Sequence, residues 1–293
     1  MRQGWLGLPA IVALLFVVAR LLTADEDGGA AAAGPSVETL VYGDAPSEFG
    51  RLHLPAGHAS GAEPAPVVVL LHGGFWRRGG GDLSLMEPLA ADLAERGVAV
   101  WNVEYGRTGE RFGGWPHTFN HVSAAVDHLA EIAERVPLDL DDVSVVGHSA
   151  GGHLALWVAG RDGFAARSAW DDEVVRSVPE VGVDQVVVLA PIANLQAAAT
   201  AGLGNGAVID LLGGDPSEVP LRYVVAAPLP GPDVAVLVVT GSLDDIVPEV
   251  YTRGSWPDAS KVFGATVDED HLRLIAPESA GWRVAKDWLG IRE

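Results

Sequence analysis

The sequence predicts an α/β domain: a mostly parallel, twisted sheet of about eight strands, with helices on both faces and a small cap insertion. Two observations carry that expectation. Solidly apolar runs of strand length recur along the chain, as strands covered on both faces require. Segments with helical spacing separate them, the alternation of a doubly wound sheet. No internal repeat or low-complexity gap splits residues 37–290, so a single domain accounts for them.

The elements follow in order. VETLVYG (37–43) and RLHLP (51–55) read as an opening pair of strands, and PVVVLLHG (66–73) as a fully buried one. MEPLAADLAERG (86–97) has helical spacing and stops at Gly97. VAVWNVEYG (98–106) is the next strand, and HTFNHVSAAVDHLAEIAERV (117–136) a long amphipathic helix whose histidines 117, 121 and 128 are expected to face mostly solvent. DVSVVGHS (142–149) is a strand that AGGHLALWVAG (150–160) continues at once as a helix. VDQVVVLAP (183–191) and VAVLVVTGS (234–242) are further strands. A last strand is expected before His271, though 251–267 shows no clear helix leading into it, and SAGWRVAKDWLG (279–290) closes the chain. Residues 192–232 are irregular and rich in Ala, Gly and Pro; they are the candidate cap over the strand ends.

The N-terminus has a different character. A basic start is followed by LGLPAIVALLFVV (6–18), then Arg20, and then small residues before an acidic stretch. That pattern predicts a signal peptide or membrane anchor over 1–24; a mis-assigned start or a buried helix is the remaining reading. DEDGGAAAAGPS (25–36) reads as a flexible linker, and 37–293 as the folded domain. The expected location is therefore outside the cytoplasm, secreted or in the cell envelope, with membrane attachment if the segment stays uncleaved.

The formal charge is −20, from 39 acidic and 19 basic residues. Loss of 1–24 removes Arg2 and Arg20 and no acid, leaving −22. Such a body repels phosphate backbones, which argues against a nucleic-acid partner. There is no cysteine, so disulfides, thiolate metal sites and a cysteine nucleophile are excluded. No metal-binding, P-loop or dinucleotide motif is present, and no cofactor is expected.

Chemistry concentrates in a few short stretches. Gly147-His148-Ser149-Ala150-Gly151 fits G-x-S-x-G between a strand and a helix, where a tight turn exposes the serine and the helix N-terminus adds free N–H groups. A hydroxyl attacking a carbonyl creates an oxyanion that needs fixed N–H donors. Ala150 supplies one, and HGGFW (72–76), in the loop after an earlier strand, supplies the N–H groups of Gly74 and Phe75. Phe75 and Trp76 are expected to wall the acyl pocket, and Trp76 and His148 to line the substrate pocket. His72 is expected to shape the glycine loop. The serine needs a base and the base an orienting acid, in the order serine, acid, histidine. His153 lies inside the helix after the serine and faces away, which leaves His271 in VDEDHLRLI (267–275). Asp244 ends the preceding strand in position to reach an imidazole, with Asp245 as the alternative. Asp268, Glu269 and Asp270 stand too close to His271 in sequence to approach its ring from the required side.

HGGFW, GHSAG, GSLDDIVP (241–248) and the late Asp-His together resemble the α/β-hydrolase superfamily, in its esterase and kynurenine formamidase (arylformamidase) branch, over essentially all of 37–290. VWNVEYGR (100–107) and GGWP (113–116) are also similar to that branch. The resemblance implies an α/β-hydrolase fold, a catalytic triad of Ser149, Asp244 and His271, and an oxyanion hole at Gly74 and Phe75. The expected activity is hydrolysis of a small-molecule carboxylic ester or aryl amide through an acyl-enzyme. The rival expectations are a kynurenine formamidase proper, an exported peptidase of the prolyl-oligopeptidase type, and a non-catalytic surface binding protein on the same fold.

Overall fold

The computed structural model describes residues 34–58, 61–161, 179–254 and 260–292, and residues 32–293 form one unit. The signal or anchor segment 1–24 and linker residues 25–33 lie outside the described residues. No described helix is long and apolar enough to cross a membrane.

Eight strands form one sheet in the order β1-β2-β4-β3-β5-β6-β7-β8. They are β1 (Ser36–Val41), β2 (Phe49–Leu54), β3 (Ala65–Leu71), β4 (Ala99–Val103), β5 (Leu138–His148), β6 (Gln185–Leu189), β7 (Ala235–Gly241) and β8 (Val262–Val267). β1 pairs with β2, and β2 with β4, antiparallel; every other pairing is parallel. The chain leaves β3 toward β4 on one side and returns to β5 on the other. The strand order therefore reverses around β3, and the crevice outside the carboxyl ends of β3 and β5 is where such sheets place a ligand.

Side-chain alternation explains the layers. Val67, Val69 and Leu71 of β3 point to one face, and Val68 and Leu70 to the other. The first face is covered by α2 (His117–Asp127), α3 (Leu129–Ala133) and α4 (Ala150–Val158). The second is covered by α1 (Glu87–Ala94) and the closing helix Ala280–Trp288. These last two are tied through Asp92, which accepts from the Trp282 indole at 2.8 Å and pairs with buried Lys286 at 3.2 Å. Asp92→Ala leaves that ammonium buried without its carboxylate, and should lower unfolding free energy by about 3 kcal/mol or more in a denaturant titration.

Three expectations need correction. The helix expected over 117–136 is two, α2 and α3, meeting at His128. His121 is buried, because its Nδ1 accepts the amide of Gly106 at 3.0 Å. Among the described residues, the approach to the last strand holds a single helical turn, Glu249–Thr252. Even so β8 pairs with β7 in register from Val236↔Val262 to Gly241↔Val267, and so carries the loop that ends at His271. β1 begins at Ser36, the last residue of the expected linker.

Candidate active site

Ser149 sits between β5 and α4 at φ 54° and ψ −117°, a conformation that costs a non-glycine residue about 1–3 kcal/mol. Its surroundings hold it there. The Ser149 amide donates to Leu189 O at 2.8 Å, and its carbonyl accepts from His153 and Ile192. The flanking glycines are required by close approach: a Cβ on Gly147 would meet Gly151 O at 2.3 Å, and one on Gly151 would meet Leu71 O at 2.2 Å. The spacing of G-x-S-x-G is thus the spacing at which helix, strand and neighbouring strand touch.

The loop after β3 comes to the same point. A Cβ on Gly73 would lie 3.1 Å from that of Ser149. Gly74, Phe75 and Trp76 follow at φ 115°, 53° and 54°, three successive left-handed residues. Among the described residues, no acceptor takes the N–H of Gly74, Phe75 or Ala150. His72 anchors the loop from behind, with Nδ1 2.7 Å from Gly73 O and Nε2 3.1 Å from Glu104. Tyr105 stacks on the His72 ring and donates to its carbonyl at 2.6 Å. Burial raises the Glu104 pKa, but hydrogen bonding to His72, the charges of His72 and Arg107 and the Leu83 amide outweigh it and hold the carboxyl below its ordinary range.

On the far side, His271 Nδ1 lies 2.6 Å from Asp244 Oδ2. The other oxygen of Asp244 accepts the amides of Ile246 at 2.9 Å and Val247 at 2.8 Å. Burial pushes the Asp244 pKa up, yet the His271 bond and these amides prevail and hold it below the ordinary value. Asp245 is exposed. Asp268, Glu269 and Asp270 are taken up by Ser242, by the amides of Ala280 and Gly281, and by those of Leu272 and Arg273. Among the described residues, no hydrogen bond joins Ser149 to the His271 ring. The residue before the serine does reach that histidine: His148 Nε2 is 3.0 Å from His271 O, with ring centroids 4.5 Å apart.

Two residues expected to line the substrate pocket do not reach solvent. Trp76 is fully buried, its indole N–H donating to Ala150 O at 3.0 Å and its ring edge-on to His153. Its left-handed φ turns the side chain into the core. His148 is 1% exposed; burial, with the neighbouring His271, lowers its pKa to about 3. His153 is buried against Ala226 O, and burial lowers its pKa to about 4. Phe75 is half-buried. It packs against Gly204, where a Cβ would come within 2.5 Å of the ring.

Residues 192–232 carry three short helices, α5 (Leu195–Thr200), α6 (Leu203–Leu212) and α7 (Pro220–Val225). Gly202, Gly204, Asn205 and Gly206 are all left-handed. Arg77, next to Trp76, donates to the carbonyls of Gly204 and Asn205 and pairs with Asp210. Neither Arg77 nor Glu104 was singled out by the motifs. Glu104 had a signal, as the one carboxylate in the expected strand 98–106. Arg77 had none, because its partners lie more than 120 residues away. Among the described residues, no group of three or more His, Asp or Glu is placed to hold a metal ion.

The BD-FAE family model matches residues 52–253, a span that includes Ser149 and Asp244 and ends before His271. No curated protein matches the chain. Among solved structures, a bifunctional GH43-CE protein of Bacteroides eggerthii is 20% identical at TM-score 0.66; the match covers 87% of this chain and only 38% of that one. A truncated carbohydrate esterase from gut microbiota is 17% identical at TM-score 0.66, covering 88% and 96%. Esterase B from Lactobacillus rhamnosis is 21% identical at TM-score 0.65, covering 87% and 84%. At these identities the likeness is one of fold.

Proposed function

The chain belongs to the BD-FAE family and has the α/β-hydrolase fold, and from that premise we propose that it is a serine hydrolase that cleaves carboxylic esters through an acyl-enzyme. The observation that carries the reading is the strained Ser149 turn, set beside the 2.6 Å His271–Asp244 contact by the His148 bond.

In this mechanism His271 Nε2 takes the proton of Ser149 as its Oγ attacks the ester carbonyl. Asp244 holds Nδ1–H and so presents Nε2 as the base, then stabilises the imidazolium. The N–H groups of Gly74, Phe75 and Ala150 receive the oxyanion, and the α4 N-terminus adds its positive end. His271 returns the proton to the leaving alcohol, and water then releases the acid by the same steps in reverse roles. The hydrogen bond from Ser149 to His271 Nε2 that this step needs would form as substrate settles.

The substrate class is an ester with a modest acyl group, since Phe75 and the loop at Gly204 crowd the hole. The HGGFW and GHSAG motifs keep an N-aryl formamide as the second reading. A fluorophosphonate probe should label Ser149, read as a mass shift on its peptide. p-Nitrophenyl esters of graded length, run beside a feruloyl ester and N-formylkynurenine, should give the highest kcat/KM on a short ester. An unlabelled protein would instead favour a binding role, and a preference for the formamide would move the enzyme to the second reading.

A further inference from the structure

We propose that His148 is a positioning residue: its imidazole N–H grips the main-chain carbonyl of His271 and so fixes the catalytic base relative to the adjacent nucleophile. The inference rests on the serine-hydrolase reading and extends it to a residue with no role in the proton relay.

The argument begins with sequence separation. The two residues in contact are 123 positions apart, on β5 and on the loop after β8, with β6 and β7 between those strands in the sheet. Asp244 controls the rotation of the His271 ring through Nδ1, but it arrives on the β7 loop, and among the described residues no hydrogen bond joins it to Ser149. Something must relate the base to the serine, because misplacing a reacting group by about 1 Å costs about 100-fold in rate. His148 is covalently next to Ser149, and His271 O can only accept. His148 Nε2 therefore carries the hydrogen, which makes Nδ1 the lone-pair nitrogen. Among the described residues that nitrogen is buried with no partner, so the ring is held for its single N–H and its contact with the His271 ring. A neutral ring suits the place, since a second cation 4.5 Å from His271 would oppose formation of the imidazolium.

The groups facing His271 are Asp244 from the β7 loop and His148 from β5, with His72 at the end of β3 behind them. The acids on its own loop are engaged elsewhere, as described above.

The test compares His148→Phe, which keeps a ring and loses the donor, with His148→Gln, which offers an amide N–H near the Nε2 position. His148→Asn, whose amide falls short of the carbonyl, repeats the donor loss at smaller volume should the Phe variant fail to fold. Active sites are counted by fluorophosphonate titration, so that only folded enzyme enters kcat. The Phe and Asn variants should lose about 100-fold in kcat with KM changed less than about threefold, and the Gln variant should recover most of the loss. Parental kcat in Phe or Asn, or equal losses in all three variants, would each overturn the positioning role. Should Ser149→Ala stay active, the underlying hydrolase reading fails as well. An inactive Ser149→Ala beside fully active His148 variants sinks the positioning role alone.

Discussion

Ser149→Ala is expected to lower kcat on p-nitrophenyl acetate by about 10⁶-fold, the scale on which removal of a serine nucleophile acts when the remaining groups have nothing to activate. The fold should survive. The backbone at 149 is held by bonds from its own N–H and C=O to Leu189, His153 and Ile192, none of which uses the hydroxyl. Alanine accepts φ 54° no less well than serine, so strain is unchanged and the thermal midpoint should stay near that of the parent. Residual hydrolysis above the uncatalysed rate would come from the N–H groups of Gly74, Phe75 and Ala150. Turnover close to parental would remove the serine from the chemistry altogether.

Asp244→Asn should cost about 10⁴-fold in kcat, for a reason the geometry makes specific. Both carboxylate oxygens of Asp244 are acceptors in use, one toward His271 Nδ1 and the other toward the amides of Ile246 and Val247. An asparagine has one oxygen. If that oxygen keeps the two amides, its NH₂ faces Nδ1 and selects the wrong imidazole tautomer. If it turns to His271, the NH₂ faces two N–H groups. Neither orientation restores the base. The substitution also has a signature in stability. Because the folded pKa of Asp244 is held below its ordinary value, its ionised form stabilises the fold above the ordinary carboxylate pKa of about 4. That contribution fades as pH falls through the depressed folded value. The stability gap between parent and Asp244→Asn should therefore be widest near neutrality and close on acidification, as read by denaturant midpoints at a series of pH values. A gap that stays constant with pH would show that the carboxylate is not what the fold uses.

Much of this arrangement was legible in the sequence because it is local. The G-x-S-x-G turn is spelled by residues whose contacts are a few positions apart or one strand away, and the run of apolar strands left little choice of fold. Asp244 could be separated from Asp245 only as a preference, and the structure separates them by burial. What escaped was determined by partners distant in sequence. His148 and Trp76 looked like pocket residues because they flank the serine and the glycine loop, but the left-handed backbone at 76 and the arrival of His271 O turn both inward. His121 read as solvent-facing from its helix, and the amide of Gly106 captures it. Helical spacing continued through His128, so the division into α2 and α3 left no trace in the pattern.

Arg77 gives the site a sensitivity to ionic strength. Its guanidinium is the fastening between the loop of Gly74 and Phe75 and the left-handed turn at Gly204–Asn205, and its carboxylate partner Asp210 stands half in solvent. Exposed pairs of this kind contribute less than about 1 kcal/mol and are damped within about 8 Å at physiological salt. Added electrolyte thus loosens the turn over Phe75 while the buried histidine–aspartate pair stays shielded, so brine would change which esters are admitted before it changed how they are cut.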